Sequence, residues 1–120
     1  MKGIILFAHG ARDPAWAMPF VRLQQMLAVR QQTAVVVLAY LELMSPTLSD
    51  AVADMLVADV TDIRIVPLFL GPGAHFRQDF PALLEEMGRR FPSAIFHTTP
   101  VLGDSDIILQ AIADWIERSI

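Results

Sequence analysis

"GIILFAHG", residues 3 to 10, runs apolar from Gly3 to Ala8 and then breaks into a histidine and a glycine. A strand with one wet face would alternate apolar and polar residues, whereas a strand covered on both faces reads as a short continuous apolar run. Gly3 to Ala8 therefore predicts a fully buried strand with His9 at its carboxyl end. The stretch is too short, and ends wrongly, for a secretory leader. Three later runs resemble it: "TAVVVLAYL" (33–41), "IRIVPLFL" (63–70) and, more weakly, "SAIFHTT" (93–99). Pro67 cannot donate to a sheet ladder, so the third run should end near it.

Helical patterns fill the intervals. Leu48, Ala51, Val52, Met55 and Leu56 follow the spacing of one helix face, with Ser45 as the expected cap and Pro46 as the first helical residue. Phe80, Leu83, Leu84 and Met87 repeat the pattern behind Asp79, the expected cap of the next helix. Ile107, Ile108, Ala111, Ile112, Trp115 and Ile116 line one side of a last helix. Pro19 predicts that the first helix is bent or begins near that residue. Alternating buried strands and helices, joined by right-handed crossovers, give an α/β fold with a four-stranded parallel sheet flanked by helices. The expected strand order is 2-1-3-4, within one domain spanning residues 1–120. Such sheets bind ligands at the carboxyl ends of their strands, where strand order reverses.

Composition narrows the function classes. Hydrophobic residues make up 54% and charged residues 18%, an apolar surplus that either an unusually full core or a partner surface would absorb. A net charge of −4 argues against nucleic acid and anionic membranes as partners. The absence of cysteine excludes disulfides and thiolate metal sites and fits a cytoplasmic protein. No apolar run approaches the ~20 residues of a spanning helix.

The 2-1-3-4 order brings His9, after the first strand, close to the loop "GPGAHF" (71–76), which carries His75 after the third. Glu42 ends the neighbouring second strand. One histidine after a strand is ordinarily a hydrogen-bonding loop residue. Two at the switch point beside a carboxylate suit borderline divalent metals such as Co²⁺, Fe²⁺, Ni²⁺ or Zn²⁺. Glu42 is equally readable as an acid leading the helix behind Ser45. His97 lies on the fourth strand, away from the switch point. Arg12 and Arg77 flank the two histidines and suit anionic substrate groups or surface pairs to Asp13 and Asp79. Gly73 lets backbone approach a ligand. Phe76 suits a flat apolar wall, while Trp16 and Phe20 read as packing residues.

Three segments in order, "LFAHGARDP", "AYLELMSPTLSDAV" and "IVPLFLGPGAHFRQDFPALL", resemble the sirohydrochlorin chelatase family, specifically its small CbiX-type members. A "PVLGDSD" turn before the last helix completes the likeness. The resemblance implies half of a two-domain class II chelatase fold, assembled as a homodimer. It implies insertion of Co²⁺, Fe²⁺ or Ni²⁺ into sirohydrochlorin, for cobalamin or sirohaem, with no organic cofactor. His9 and His75 would bind the metal and Glu42 would assist. Arg12, Arg77, Gly73 and Phe76 would face the tetrapyrrole. Two features depart from the family. Ala11 stands where a serine often follows the His-Gly pair, and no histidine-rich segment is present. A non-catalytic tetrapyrrole or metal carrier of the same fold is the alternative, and a purely regulatory α/β domain is the third reading.

Overall fold

The computed structural model describes residues 1–71 and 73–120, and the side chains of all of these except Ala74 and His75. Four strands, β1 (Lys2–Ala8), β2 (Ala34–Tyr40), β3 (Asp62–Pro67) and β4 (Ile95–Thr98), form one parallel sheet in the order β2-β1-β3-β4. The expected order is thus found. β1 lies in the middle, with Ile5 aligned to Val37 on one side and to Ile65 on the other. β3 stops at Pro67, where the missing N–H leaves the ladder nothing to extend on that residue.

The four helices are α1 (Met18–Arg30), α2 (Leu48–Val57), α3 (Ala74–Arg90) and α4 (Asp106–Ser119). On one face of the sheet Ile5, Phe7, Ile63 and Ile65 pack with the α2 stripe Leu48, Ala51, Val52 and Met55, and with Met87 of α3. On the other face Leu6, Val36 and Leu68 pack with Phe20 and Leu27 of α1. A short 3-10 turn, Pro14–Ala17, precedes α1 and is capped by the Asp13 carboxylate, which accepts from the Ala15 N–H at 2.9 Å. Pro19 sits in the first turn of α1, where its lost donor costs nothing.

Two expected helix starts are corrected. α2 is capped by Thr47, whose hydroxyl accepts from the Asp50 N–H at 3.2 Å, and not by Ser45. Pro46 is outside the helix because its carbonyl accepts from the Tyr40 N–H at 2.9 Å, tying that segment to the end of β2. α3 begins at Ala74 behind Gly73, well before Asp79. Asp79 and Pro81 are interior, and the Arg77 N–H already donates to the Gly73 carbonyl at 3.2 Å. His75 consequently belongs to the first turn of a helix and not to a loop. No helix among the described residues is long and apolar enough to cross a membrane.

Candidate active site

The switch point lies between β1 and β3, and the chain continues the sheet past its formal ends there. Leu41 N–H donates to the Ala8 carbonyl at 2.9 Å, and Glu42 N–H donates to the His9 carbonyl at 3.1 Å. These two bonds extend the β1–β2 ladder by two residues and bring Glu42 beside His9. Gly10 makes the approach possible. Its φ is +96°, and a Cβ there would collide with the Glu42 carbonyl oxygen. Leu43 follows with φ +66°, a left-handed conformation that a branched apolar residue adopts only under constraint. The turn is closed by a 2.8 Å bond from Met44 N–H to the Glu42 carbonyl.

Gly10→Ala should therefore destabilise the fold by ~1–3 kcal/mol, through left-handed strain and displacement of the Glu42 backbone. Chemical denaturation against the wild type checks this, and an unchanged midpoint would contradict the close approach.

His9 is held by its Nδ1 edge. That atom lies 3.4 Å from the Gly10 carbonyl oxygen and 3.5 Å from Glu42 Oε1. Two oxygens facing one ring nitrogen favour a proton on it, which leaves Nε2 with its lone pair directed elsewhere. Both side chains are about half exposed, so the pair is open to a ligand. Beneath this corner Tyr40, Ala8 and Ala17 form a small buried cluster with Trp16 and Phe20, whose rings lie 4.8 Å apart. Burial pushes the Tyr40 hydroxyl above its ordinary pKa and keeps it neutral. Trp16 and Phe20 are packing residues.

A cleft of about 740 Å³ opens beside His9. His9 and Leu41 stand on one wall, Phe69 and Gly71 follow β3, and α3 supplies the other wall with Phe76, Phe80, Leu83 and Arg89 among others. The aromatic rings are contiguous. Phe69 and Phe76 lie 4.2 Å apart, and Phe76 stacks on Phe80 at 4.8 Å with 17° between planes. Phe80 in turn lies against Phe7 of the core at 6.0 Å. The edge of His9 meets Phe69 at 6.1 Å. The cleft thus offers an imidazole and a neighbouring carboxylate at one end and a wall of contiguous aromatic rings beside them, a combination suited to an apolar ring ligand carrying a metal.

Of the residues singled out from sequence, His9 and Glu42 come together, and Gly73 and Phe76 line the cleft. His75 lies one residue from Phe76 on the same helical turn, and its side chain is outside the described residues. Arg12 and Arg77 are exposed and do not line the cleft. His97 sits on β4 with Nε2 3.6 Å from Asp62 Oδ1, away from the cleft. Sequence reasoning missed Phe69, Phe80, Leu83 and Arg89 as cleft residues. Their signal was present: residues 76, 79 and 80, 83, 86 and 89 fall on one face of a helix, once that helix is started at Ala74.

The CbiX family model matches residues 3–119, nearly the whole chain. The chain belongs to the CbiX family. Among curated relatives it is 34% identical to the sirohydrochlorin cobaltochelatase of Saccharolobus solfataricus, over 70% of this chain and 64% of that protein. Among solved structures, a CbiX protein from Marinobacter aquaeolei VT8 superposes with a TM-score of 0.87 at 29% identity, covering 99% of this chain and 97% of the other. The sirohydrochlorin chelatase SirB from Bacillus subtilis, solved in complex with cobalt, gives a TM-score of 0.74 at 25% identity. This CbiX chain spans only 51% of SirB, while 98% of it is matched.

Proposed function

We propose that this CbiX chain is a sirohydrochlorin chelatase that inserts a divalent metal, cobalt in the first place, into the ring. The observation that carries the reading is the His9–Glu42 pair at the mouth of an aromatic-floored cleft, at the switch point of a sheet in this family. The names of the cobaltochelatase relatives and the cobalt held by SirB favour Co²⁺. Imidazole ligands also accept Fe²⁺ and Ni²⁺, and cellular supply chooses among them. The reading takes the reaction as cytoplasmic, with a homodimer as the working unit.

Metallation exchanges M²⁺ for two protons on the ring nitrogens. His9 Nε2 and the His75 imidazole hold the metal over the ring face, which removes part of its hydration shell before it meets the ring. The ring lies on Phe69, Phe76 and Phe80. As the metal enters, the acidified ring N–H groups lose their two protons, one to the Glu42 carboxylate and the other to solvent water. Arg89 in the cleft pairs with an anionic carboxylate of the ring edge, and Arg12 and Arg77, exposed and outside the cleft lining, are further cations for the remaining carboxylates. No organic cofactor takes part.

The test is incubation with sirohydrochlorin and Co²⁺, followed by the absorption change against a control without protein. Many turnovers per chain are the expected result. Binding that stops at one equivalent would instead mark a tetrapyrrole carrier, and no spectral response would overturn both readings.

A further inference from the structure

α3 brings two acidic residues into the cleft beside Arg89: Asp79 and Glu86. A carboxylate there repels the carboxylates of a ring edge, so each calls for a positive or hydrogen-donating partner of its own. Glu86 has one in Arg90, a turn further along, at 3.8 Å. Asp79 pairs with no cation among the described residues. Arg77, two residues before it, stands roughly 160° round the helix and faces elsewhere. Nor does Asp79 serve α3 itself. It lies past the first turn, where a carboxylate would meet the helix dipole, and it caps nothing. Aspartate is among the poorer helix formers at such an interior position. Its contribution is therefore to be sought in the cleft.

At ~100° per residue, the α3 positions that line the cleft fall within roughly half of the helix circumference, from Arg89 at one border to Phe80 at the other. Position 75 lies inside that arc, one turn before Asp79 and about 40° from it. Residues so spaced have Cβ atoms ~5–6 Å apart. That span suits a bond from the nearer imidazole nitrogen, Nδ1, to a short carboxylate, and Nε2 then projects beyond the pair. The opposite wall already shows this arrangement. There Glu42 Oε1 lies 3.5 Å from His9 Nδ1, and Nε2 is left over.

We infer that Asp79 is the positioning residue of His75. Its carboxylate accepts the His75 Nδ1–H, which fixes the tautomer whose lone pair is on Nε2, the atom that takes the metal. The site is then built from two imidazole–carboxylate couples. One comes from the ends of β1 and β2, the other from a single turn of α3, and each presents Nε2 to the same ion. Asp79 itself is not a ligand and receives no proton in the reaction. The inference rests on the reading of His75 as a metal ligand, and it adds the residue that sets which ring nitrogen is free.

Asp79→Ala removes the acceptor, while Asp79→Asn keeps an oxygen for the N–H without the carboxylate charge. Asp79 is exposed within the helix, so both full-length variants should fold. The chain has three histidines, and the imidazole signals of isotope-labelled, metal-free protein are read by NMR at a pH of about 8, where an ordinary imidazole is neutral. The His75 signal is the one lost in His75→Ala. It should report a proton on Nδ1 in the wild type and in Asp79→Asn, and a shift toward the Nε2–H form in Asp79→Ala. Co²⁺ affinity should fall by ~10–100-fold in Asp79→Ala, by much less in Asp79→Asn, and no further when Asp79→Ala is added to His75→Ala. A wild-type His75 protonated on Nε2 would overturn the inference without any variant. Equal losses in the two Asp79 variants, or a further loss in the His75→Ala background, would make Asp79 a ligand and overturn it as well. If His75→Ala binds Co²⁺ as the wild type does, the ligand reading of His75 fails and the inference fails with it. Turnover with sirohydrochlorin, measured in parallel, reports on the chelatase reading separately.

Discussion

A His9→Ala, His75→Ala double variant should lose Co²⁺ binding altogether, with far-UV circular dichroism unchanged. Losing one partner that merely orients a ligand costs ~10–100-fold in metal affinity, so removing a ligand itself should cost more for each residue. The fold should tolerate both changes. His9 is half exposed, and its Nδ1 contacts are long, at 3.4 and 3.5 Å. His75 stands in the first helical turn, where alanine is an excellent helix former. Wild-type binding should also weaken on acidification, because a protonated imidazole has no lone pair for a metal. The two single variants, titrated with Co²⁺, show whether both residues serve one ion. Wild-type affinity in the double variant would remove the site.

Glu42→Gln separates holding metal from moving protons. Glutamine keeps the shape and still offers Oε1 to the His9 N–H, but has no useful basicity. Turnover should fall by ~10²-fold or more, with a clearly smaller change in Co²⁺ affinity. Parallel losses of affinity and turnover would make Glu42 a ligand in the main. Full activity would return it to the reading of an acid leading α2, whose replacement costs only ~0.3–1 kcal/mol of stability. The geometry argues against that last reading. Its backbone is tied to His9 and its carboxylate faces the imidazole, whereas the cap of α2 is Thr47.

Periodicity made the sheet legible, and capping chemistry did not make the helix starts so. Continuous apolar runs with strand-like composition leave few alternatives to a parallel sheet, and once the strands are ordered the positions of His9 and Glu42 follow from topology. Helix starts are decided by small differences among rival caps. Ser45 and Thr47 compete within three residues, and Thr47 prevails because the Ser45–Pro46 segment is drawn to the end of β2. The DFP sequence at 79–81 resembles a cap, spacer and first-turn proline. α3 runs through it because Phe76 and Phe80 bury their rings against Phe69 and Phe7, a tertiary gain invisible to local pattern. With α3 started at Ala74, Phe76 joins the cleft wall and the basic residue facing the cleft is Arg89 rather than Arg12 or Arg77.

β1 is hydrogen-bonded along both edges, and Leu41 and Glu42 hang from the carbonyls of Ala8, its last residue, and of His9, the next. Amides so placed exchange with solvent only when the whole domain opens, so those of Leu41 and Glu42 should be protected nearly as well as those of the central strand. The His9–Glu42 corner then has no opening mode of its own. In rising denaturant its grip on a cation should persist unchanged up to the global transition and vanish with it. That would make bound cobalt a reporter of unfolding rather than of local motion.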